Sequence, residues 1–345
     1  MDLRKTMSSL KAVPVTPLNI LAGLGALTLT TTTIKVLSAL YFHLHRSNLK
    51  RYHHGPSDPN TKSPNDSQSQ NPWALVTGAS DGCGLAFVHE LATRSFNVVL
   101  HGRNETKLNN AISTLRQSYP NTEFKILIID AAKIPDSSTF DSLVLSVLGP
   151  LNLTVVIHNV GGGGSPATQS MQLFEDKDAA TMDSWIDINA RFATQLTRVL
   201  LPQLIKAQPA LFLFISSGVT EMTAPYVAIY TAAKQFIEGL ARTLQMEFQF
   251  KGYDIEVMSL TFGTVVTASS GRSAKDEAFT MPTTENVVKA SFDKVGLGVA
   301  KCTPWIGHWV QLGFFKMLPG WLANRLVLGE VKKVRGKMEE AEKRK

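Results

Sequence analysis

WALVTGASDGCGLAFVHEL, residues Trp73 to Leu91, decides the fold. Its uncharged opening, WALVT, has the length and composition of a short buried strand. Gly78, Gly82 and Gly84 follow, and then Leu85 to Leu91 carry the apolar spacing of an amphipathic helix. Strand, glycine turn and helix together make a nucleotide cradle. The glycines let the main chain turn tightly and approach a pyrophosphate, whose charge meets the amides at the helix N-terminus. A glycine pattern alone also fits an ordinary strand-to-helix turn; its place between a strand and a helix gives it weight.

Beyond this unit strand and helix keep alternating. FNVVLHGR (96–103), FKILIID (124–130), LTVVIHNVGG (153–162), LFLFISS (211–217) and DIEVMSLTFGTVVT (254–267) read as strands, the last closing the sheet. Helices are expected between them, including one over Ser184–Leu201 and one over Tyr226–Phe250. Such alternation predicts an α/β fold: a parallel sheet with helices on both faces and ligands at the carboxyl ends of its strands. At the end of the second strand an acidic residue would hold the ribose hydroxyls of NAD. Arg103 stands there instead, followed by Asn104, and a cation suits the 2′-phosphate of NADP. Asp130 ends the third strand, where a carboxylate could meet the adenine amine, and the glycines from Gly161 to Gly164 could pass close to the cofactor.

The chemistry is sought in ISSGVTEMTAPYVAIYTAAK, Ile215 to Lys234. Lys234 follows Tyr230 by four residues, which stacks both side chains on one helix face, close enough for the ammonium to lower the phenol's pKa. Ser217, at the end of the preceding buried strand, could face the tyrosine, so that both hydroxyls grip one carbonyl oxygen. With six tyrosines in the chain, one Tyr-x-x-x-Lys pair by chance is roughly an even bet, so the pair counts only with its surroundings. Asn189, inside the Ser184–Leu201 helix, reads by itself as an exposed polar residue.

A chain of 345 residues with 44% apolar and 18% charged residues is long enough for one large domain with appendages, and excludes disorder throughout. Its net charge of +7 gathers at the two ends without a basic face interleaved with aromatics, which points to membrane surface and away from nucleic acid. Two cysteines, Cys83 and Cys302, imply neither a disulfide framework nor a metal site, and the default is a reducing, cytosol-facing catalytic domain. Ala12 to Ile34 carry no charge and the apolar character resumes after Lys35, which fits an uncleaved membrane-spanning helix of about 20 residues, with a signal peptide or a buried helix as competitors. Arg4, Lys5 and Lys11 on one side and Arg46, Lys50 and Arg51 on the other leave its orientation open. The histidines at 43, 45, 53 and 54 read as solvated interfacial residues. The expected organisation is an anchor and flank over 1–54, a flexible polar linker over 55–71, a catalytic domain over 72–300 and a C-terminal segment over 301–345. In that last segment Trp305, Trp309, Phe314, Phe315 and Trp321 fit an interfacial or re-entrant stretch, or else a helix packed on the core or on a dimer partner. The final fourteen residues, with seven Lys or Arg against three Glu, read as a solvated tail that could lie near anionic lipid.

With TGASDGCG (77–84), Asp130, HNVG (158–161), Asn189, Ser217 and the Tyr230–Lys234 pair agreeing in type, order and spacing, the chain from about Asn71 to Gly296 resembles the short-chain dehydrogenase/reductase family. The resemblance implies a Rossmann-like doubly wound sheet. It gives Ser217, Tyr230 and Lys234 the catalytic triad positions and Asn189 the place of a residue that helps hold a proton-relay water. It also implies NADPH/NADP contacts at Gly78, Ser80, Asp81, Gly82, Gly84, Arg103, Asn104, Asp130, Asn159, Gly161, Tyr230, Lys234, Gly263, Val265 and Thr267, and no metal. Within the family, the anchor, FTMPTTENVVKASFDKVG (279–296) and TPWIGHWVQ (303–311) look like the microsomal 3-oxoacyl-CoA reductases and their hydroxysteroid dehydrogenase relatives. That subgroup implies a lipid-like substrate, the endoplasmic reticulum membrane, fatty acid elongation, and a homodimer or elongation-complex partners. His158 stands where the family has the first asparagine of NNVG, and Phe262 where it has a proline, which is expected to loosen the turn at Gly263. A diverged member acting on a steroid, sterol or secondary-metabolite ketone, and a tethered cofactor-binding scaffold with little turnover, are the alternatives.

Overall fold

Apolar runs without polar alternation suit strands covered on both faces. The computed structural model describes residues 16–55, 71–162, 172–267 and 270–342 and builds such a sheet. Its strands are β1 (Trp73–Thr77), β2 (Asn97–Gly102), β3 (Phe124–Ile128), β4 (Leu153–His158), β5 (Ala210–Ser217), β6 (Ile255–Phe262) and β7 (Lys301–Cys302). All pair in parallel, in the order β3-β2-β1-β4-β5-β6-β7, and every residue of β1, β2 and β4 is buried. One expectation is corrected here. β6 does not close the sheet, because the two-residue β7, too short to show a pattern in sequence, pairs with its Ser259 and Leu260. The chain runs outward from β1 to β3 and returns to lay β4 beside β1, so the topological switch falls between β1 and β4.

The crossovers are α2 (Gly82–Thr93), α3 (Glu105–Ser118), α4 (Ser137–Leu148), α5 (Ala179–Ile186), α6 (Phe192–Lys206), α7 (Ala228–Lys251) and α8 (Thr284–Phe292). Phe140 of α4 and Phe192, Leu196 and Leu200 of α6 pack in the same core as Phe212 and Phe214 of β5. The helix expected over Ser184–Leu201 starts earlier, at Ala179, and a π-helical turn over Asp187–Arg191 separates α5 from α6.

Contacts divide the chain into two compact units, Met1–His45 and Arg46–Lys345. In the first, α1 (Pro17–Leu44) has 28 residues, and none of them is buried. At 1.5 Å per residue it is about 42 Å long, more than a hydrocarbon core of about 30 Å requires. Thr16 caps it by accepting from the Asn19 N–H at 3.2 Å, and Pro17 starts it. The threonines that lower its hydropathy turn inward: Thr28 donates to Leu24 O at 2.8 Å and Thr31 to Thr28 O at 3.0 Å. It is a candidate anchor.

The boundary expected at residue 54 falls inside the second unit. Leu49 and Tyr52, in a 3-10 turn, are each 1% exposed. Tyr52 donates to Glu256, its carbonyl accepts from Thr154 Oγ1 at 2.7 Å, and Arg51 pairs with Asp254. His53 and His54, expected in solvent, are half-buried and bond Ser95 O at 3.1 Å and Pro209 O at 2.9 Å. This segment clamps the amino-terminal edge of the sheet. The C-terminal segment forms α9 (Ile306–Met317) and α10 (Gly320–Glu342). Gly307, His308 and Leu312 of α9 are buried, while Trp309, Val310 and Phe314 are exposed. Residues 1–15, most of the expected linker (56–70), Gly163 and Gly164, and the last three residues of the basic tail lie outside the described residues.

Candidate active site

At the carboxyl ends of β1, β4, β5 and β6 opens a cleft of about 520 Å³. One wall is the glycine turn. Gly78 has φ +65° and Gly82 φ +54°, values that suit glycine. A Cβ on Gly84 would overlap Gly78 O and lie 2.8 Å from Asn159 Nδ2. Asp81 caps α2 by accepting from the Gly82 N–H at 2.7 Å. A cradle that excludes side chains and ends in a helix N-terminus fits the pyrophosphate of a nicotinamide dinucleotide. The sheet holds this cradle from two sides. Asn159 donates to Thr77 O at 3.0 Å and Gly78 O at 3.3 Å, and His101 Nδ1 accepts from the Gly78 N–H at 3.4 Å. The His101 ring donates through Nε2 to Ile129 O at 3.1 Å, and burial takes its pKa down to about 4.

The opposite wall carries Ser217, Tyr230 and Lys234, which the structure brings together around the cleft. Ser217 ends β5, and Tyr230 lies in the first turn of α7, both lining the cleft. Burial raises the Tyr230 pKa, and the neighbouring Ser217 hydroxyl opposes that only in part. The expectation of a phenol lowered by Lys234 is therefore corrected. The ammonium sits 5.8 Å from the Tyr230 ring centroid and gives a hydrogen bond to Ile215 O at 2.9 Å. Lys234 is itself 4% exposed, and burial brings its pKa to about 8. Beneath Ser217, buried Glu238 accepts from Ser216 Oγ at 2.7 Å, from Thr220 Oγ1 at 2.9 Å and from Lys301 Nζ at 2.6 Å, fixing the strand end. No pattern in the sequence singled it out.

Asn189 is 2% exposed, against its reading as a surface residue. From the π turn its Oδ1 accepts from the Gly162 N–H at 2.8 Å, while Nδ2 donates to Gly162 O at 3.0 Å and Trp185 O at 2.9 Å. It grips the glycine end of β4, where a Cβ on Gly161 would lie 2.7 Å from Lys234 Nζ. Arg103, Asn104 and Asp130 lie outside the cleft lining. Arg103 is exposed, Asn104 caps α3 by accepting from the Lys107 N–H at 2.9 Å, and Asp130 accepts from the Ala132 N–H at 3.1 Å.

The third side is the loop after β6, in which Gly263, Val265 and Thr267 line the cleft. Thr267 approaches the glycine turn: a Cβ on Gly82 would lie 3.5 Å from its Cγ2. The turn at Phe262–Gly263, expected to be loose without proline, is tied down by fully buried His308, whose Nδ1 accepts from the Gly263 N–H at 3.1 Å. Sequence reasoning missed His308, which lies within TPWIGHWVQ (303–311) with no pattern of its own. His158, standing where the family has asparagine, bonds Thr197 Oγ1 through its Nε2 at 3.0 Å, and its ring stacks on Phe214 with the centroids 4.4 Å apart. Burial, with His101 nearby, lowers the His158 pKa to about 3.

A family model described as short chain dehydrogenase matches residues 72–278. A very-long-chain 3-oxoacyl-CoA reductase-like protein of Arabidopsis thaliana is 28% identical over 74% of this chain and 81% of its own length. A very-long-chain 3-oxoacyl-CoA reductase of Neurospora crassa is 28% identical over 84% of this chain and 81% of its own. Among solved structures, a short chain dehydrogenase from Escherichia coli CFT073 complexed with NADPH is 25% identical, with a TM-score of 0.55 over 64% of this chain and 89% of that one.

Proposed function

Because the chain belongs to the short-chain dehydrogenase family, we propose that it is an NADPH-dependent reductase of a ketone on a long acyl chain, most specifically a 3-oxoacyl-CoA taken to the 3-hydroxyacyl-CoA. The observation that carries the reading is the convergence of Ser217, Tyr230 and Lys234 on the same cleft as the Gly78–Gly82 turn, with Lys234 on the next turn of α7 after Tyr230. Relatives named as very-long-chain 3-oxoacyl-CoA reductases support the substrate class.

The nicotinamide cofactor, when bound, supplies the hydride. The amides of the Gly78–Gly84 turn would hold its pyrophosphate, Arg103 its 2′-phosphate and Lys234 its nicotinamide ribose. Ser217 donates to the ketone oxygen and holds it against Tyr230. Tyr230 is the general acid: its phenol, kept protonated by burial, gives its proton to the oxygen as that oxygen becomes alkoxide. Asn189 keeps the Gly161–Gly162 backbone clear of Lys234 and supports the route by which a proton returns to Tyr230.

α1 tethers the enzyme to the endoplasmic reticulum membrane with its catalytic unit in the cytosol, where free thiols such as Cys83 and Cys302 stay reduced. The test is NADPH consumption by the purified, detergent-solubilised chain with long-chain 3-oxoacyl-CoA beside steroid ketones. Turnover is expected with the acyl-CoA, and Tyr230→Phe should reduce kcat by about 10²–10⁴-fold with cofactor binding retained. Steroid turnover without acyl-CoA turnover would move the substrate; wild-type turnover by the Phe variant would remove the assigned acid.

A further inference from the structure

The loop Phe262–Thr267 lines the cleft, and its Phe-Gly-Thr opening has no conformational stiffness of its own. What holds it comes from 45 residues downstream. We infer that His308 is a positioning residue for the reaction: its one ring grips two successive peptide units of that loop and holds it closed over the cofactor side of the cleft.

The geometry is two-sided. Nδ1 accepts from the Gly263 N–H at 3.1 Å and Nε2–H donates to Thr264 O at 3.1 Å, a pair of bonds that only the neutral Nε2–H tautomer makes. The ring is 0% exposed and lies flat enough against the turn that a Cβ on Gly263 would sit 2.5 Å from its Cδ2. Burial also lowers its pKa, which keeps it in the neutral form the two bonds require. The helix that presents the ring is docked along its length. Trp305 Nε1 donates to Phe279 O at 2.7 Å just before α9, Leu312 Cδ2 lies 3.2 Å from where a Cβ of Gly218 would be, and Lys316 pairs with Glu221 at 2.9 Å. Gly218 follows Ser217, so α9 braces both loops that flank the cleft.

A related device occurs on the glycine-turn side. His101 Nδ1 accepts from the Gly78 N–H and its Nε2 donates to Ile129 O, so two of the three sides of the cleft have a glycine amide held by a buried imidazole. Between them, Thr267 reaches the Gly82 turn. A loop released from His308 would lose its fixed distance from the cradle, and cofactor affinity would fall before the Tyr230 chemistry does.

The inference rests on the reductase reading for its kinetic consequence, and its first readout does not. His308→Gln, which keeps an acceptor and a donor, and His308→Phe, which keeps a ring without either, are compared with wild type as full-length protein in detergent. Hydrogen exchange over residues 260–267 is expected to speed up about 10-fold or more in the Phe variant and stay near wild type in the Gln variant. NADPH titration should show about 10-fold weaker binding for Phe, with KM for NADPH rising more than kcat falls, and recovery to within a few-fold for Gln. Wild-type exchange in the Phe variant, faster exchange with unchanged NADPH binding, or a Gln variant no better than Phe would each overturn the role. Absence of ketone turnover by the wild type would overturn the reductase reading alone, because exchange and titration still decide for or against His308.

Discussion

A buried ammonium loses hydration, and the hydrogen bond from Lys234 to Ile215 O makes up only part of that loss, so burial brings the pKa down to about 8. Stability follows from the sign. Below about pH 8 folded and unfolded chains both carry the charge, and the cost of burial is constant. Between about 8 and the ordinary 10.5 the unfolded chain keeps its proton while the folded one releases it, so stability rises with pH through that window. The rise is on the order of 3 kcal/mol. Urea unfolding at pH 7.5 and pH 10 should show it in wild type and lose it in Lys234→Met; equal pH dependence in the two proteins would mean that Lys234 is solvated. The Ser217–Tyr230–Lys234 grouping was legible because a strand end and an i,i+4 step determine which side chains can meet. The direction of the Tyr230 pKa was not, because it turns on how deeply the folded chain buries the phenol. His308 was illegible for a related reason: its partners, Gly263 and Thr264, are 45 and 44 residues away.

At the level of elements, the strand–turn–helix unit at β1–α2 is where local sequence and tertiary geometry agree best, and glycine substitutions separate the two. Replacing a helical glycine by alanine normally gains about 1 kcal/mol of propensity. Gly239→Ala in α7, where a Cβ meets nothing within 4 Å, should show that gain as a small increase in melting temperature. Gly84→Ala in α2 should reverse it, because the methyl group would overlap Gly78 O and crowd Asn159. Its expected result is a lower melting temperature and at least about 10-fold weaker cofactor binding; melting and titration like wild type would show that the cradle has room for a side chain. The π turn shows where pattern reading stops. Apolar periodicity predicts a continuous helix from Ser184, and the extra residue that breaks its register is set by Asn189, which bonds Gly162 of another element. β7 escaped for want of length, two residues carrying no period.

On the scale of the whole molecule, the alternation of strands and helices and the apolar N-terminal helix were legible, since both are long patterns. Residues 46–55 were not. LKRYHH has no period and looks like a basic flank, yet its partners are Thr154, Asp254 and Glu256, roughly 100 to 200 residues on. The distinction decides where the catalytic unit can be cut. A chain beginning at Arg46 keeps Leu49 and Tyr52 in place, with Asn48 N–H donating to Val295 O at 3.0 Å. A chain beginning at Gly55 loses both, and each buried side chain of this kind is worth about 1.5–3 kcal/mol. It also leaves Glu256, which accepts from both Tyr52 and the Gly296 N–H, without its phenol. Against a net stability of about 5–15 kcal/mol that loss is large. Prepared side by side in detergent, the 46–345 chain should melt close to full length and bind cofactor, and the 55–345 chain should melt several degrees lower or aggregate. Equal melting temperatures would mean that the segment rests on the sheet without supporting it; the expected gap would make residues 46–55 part of the enzyme and leave only α1 and what precedes it as the tether.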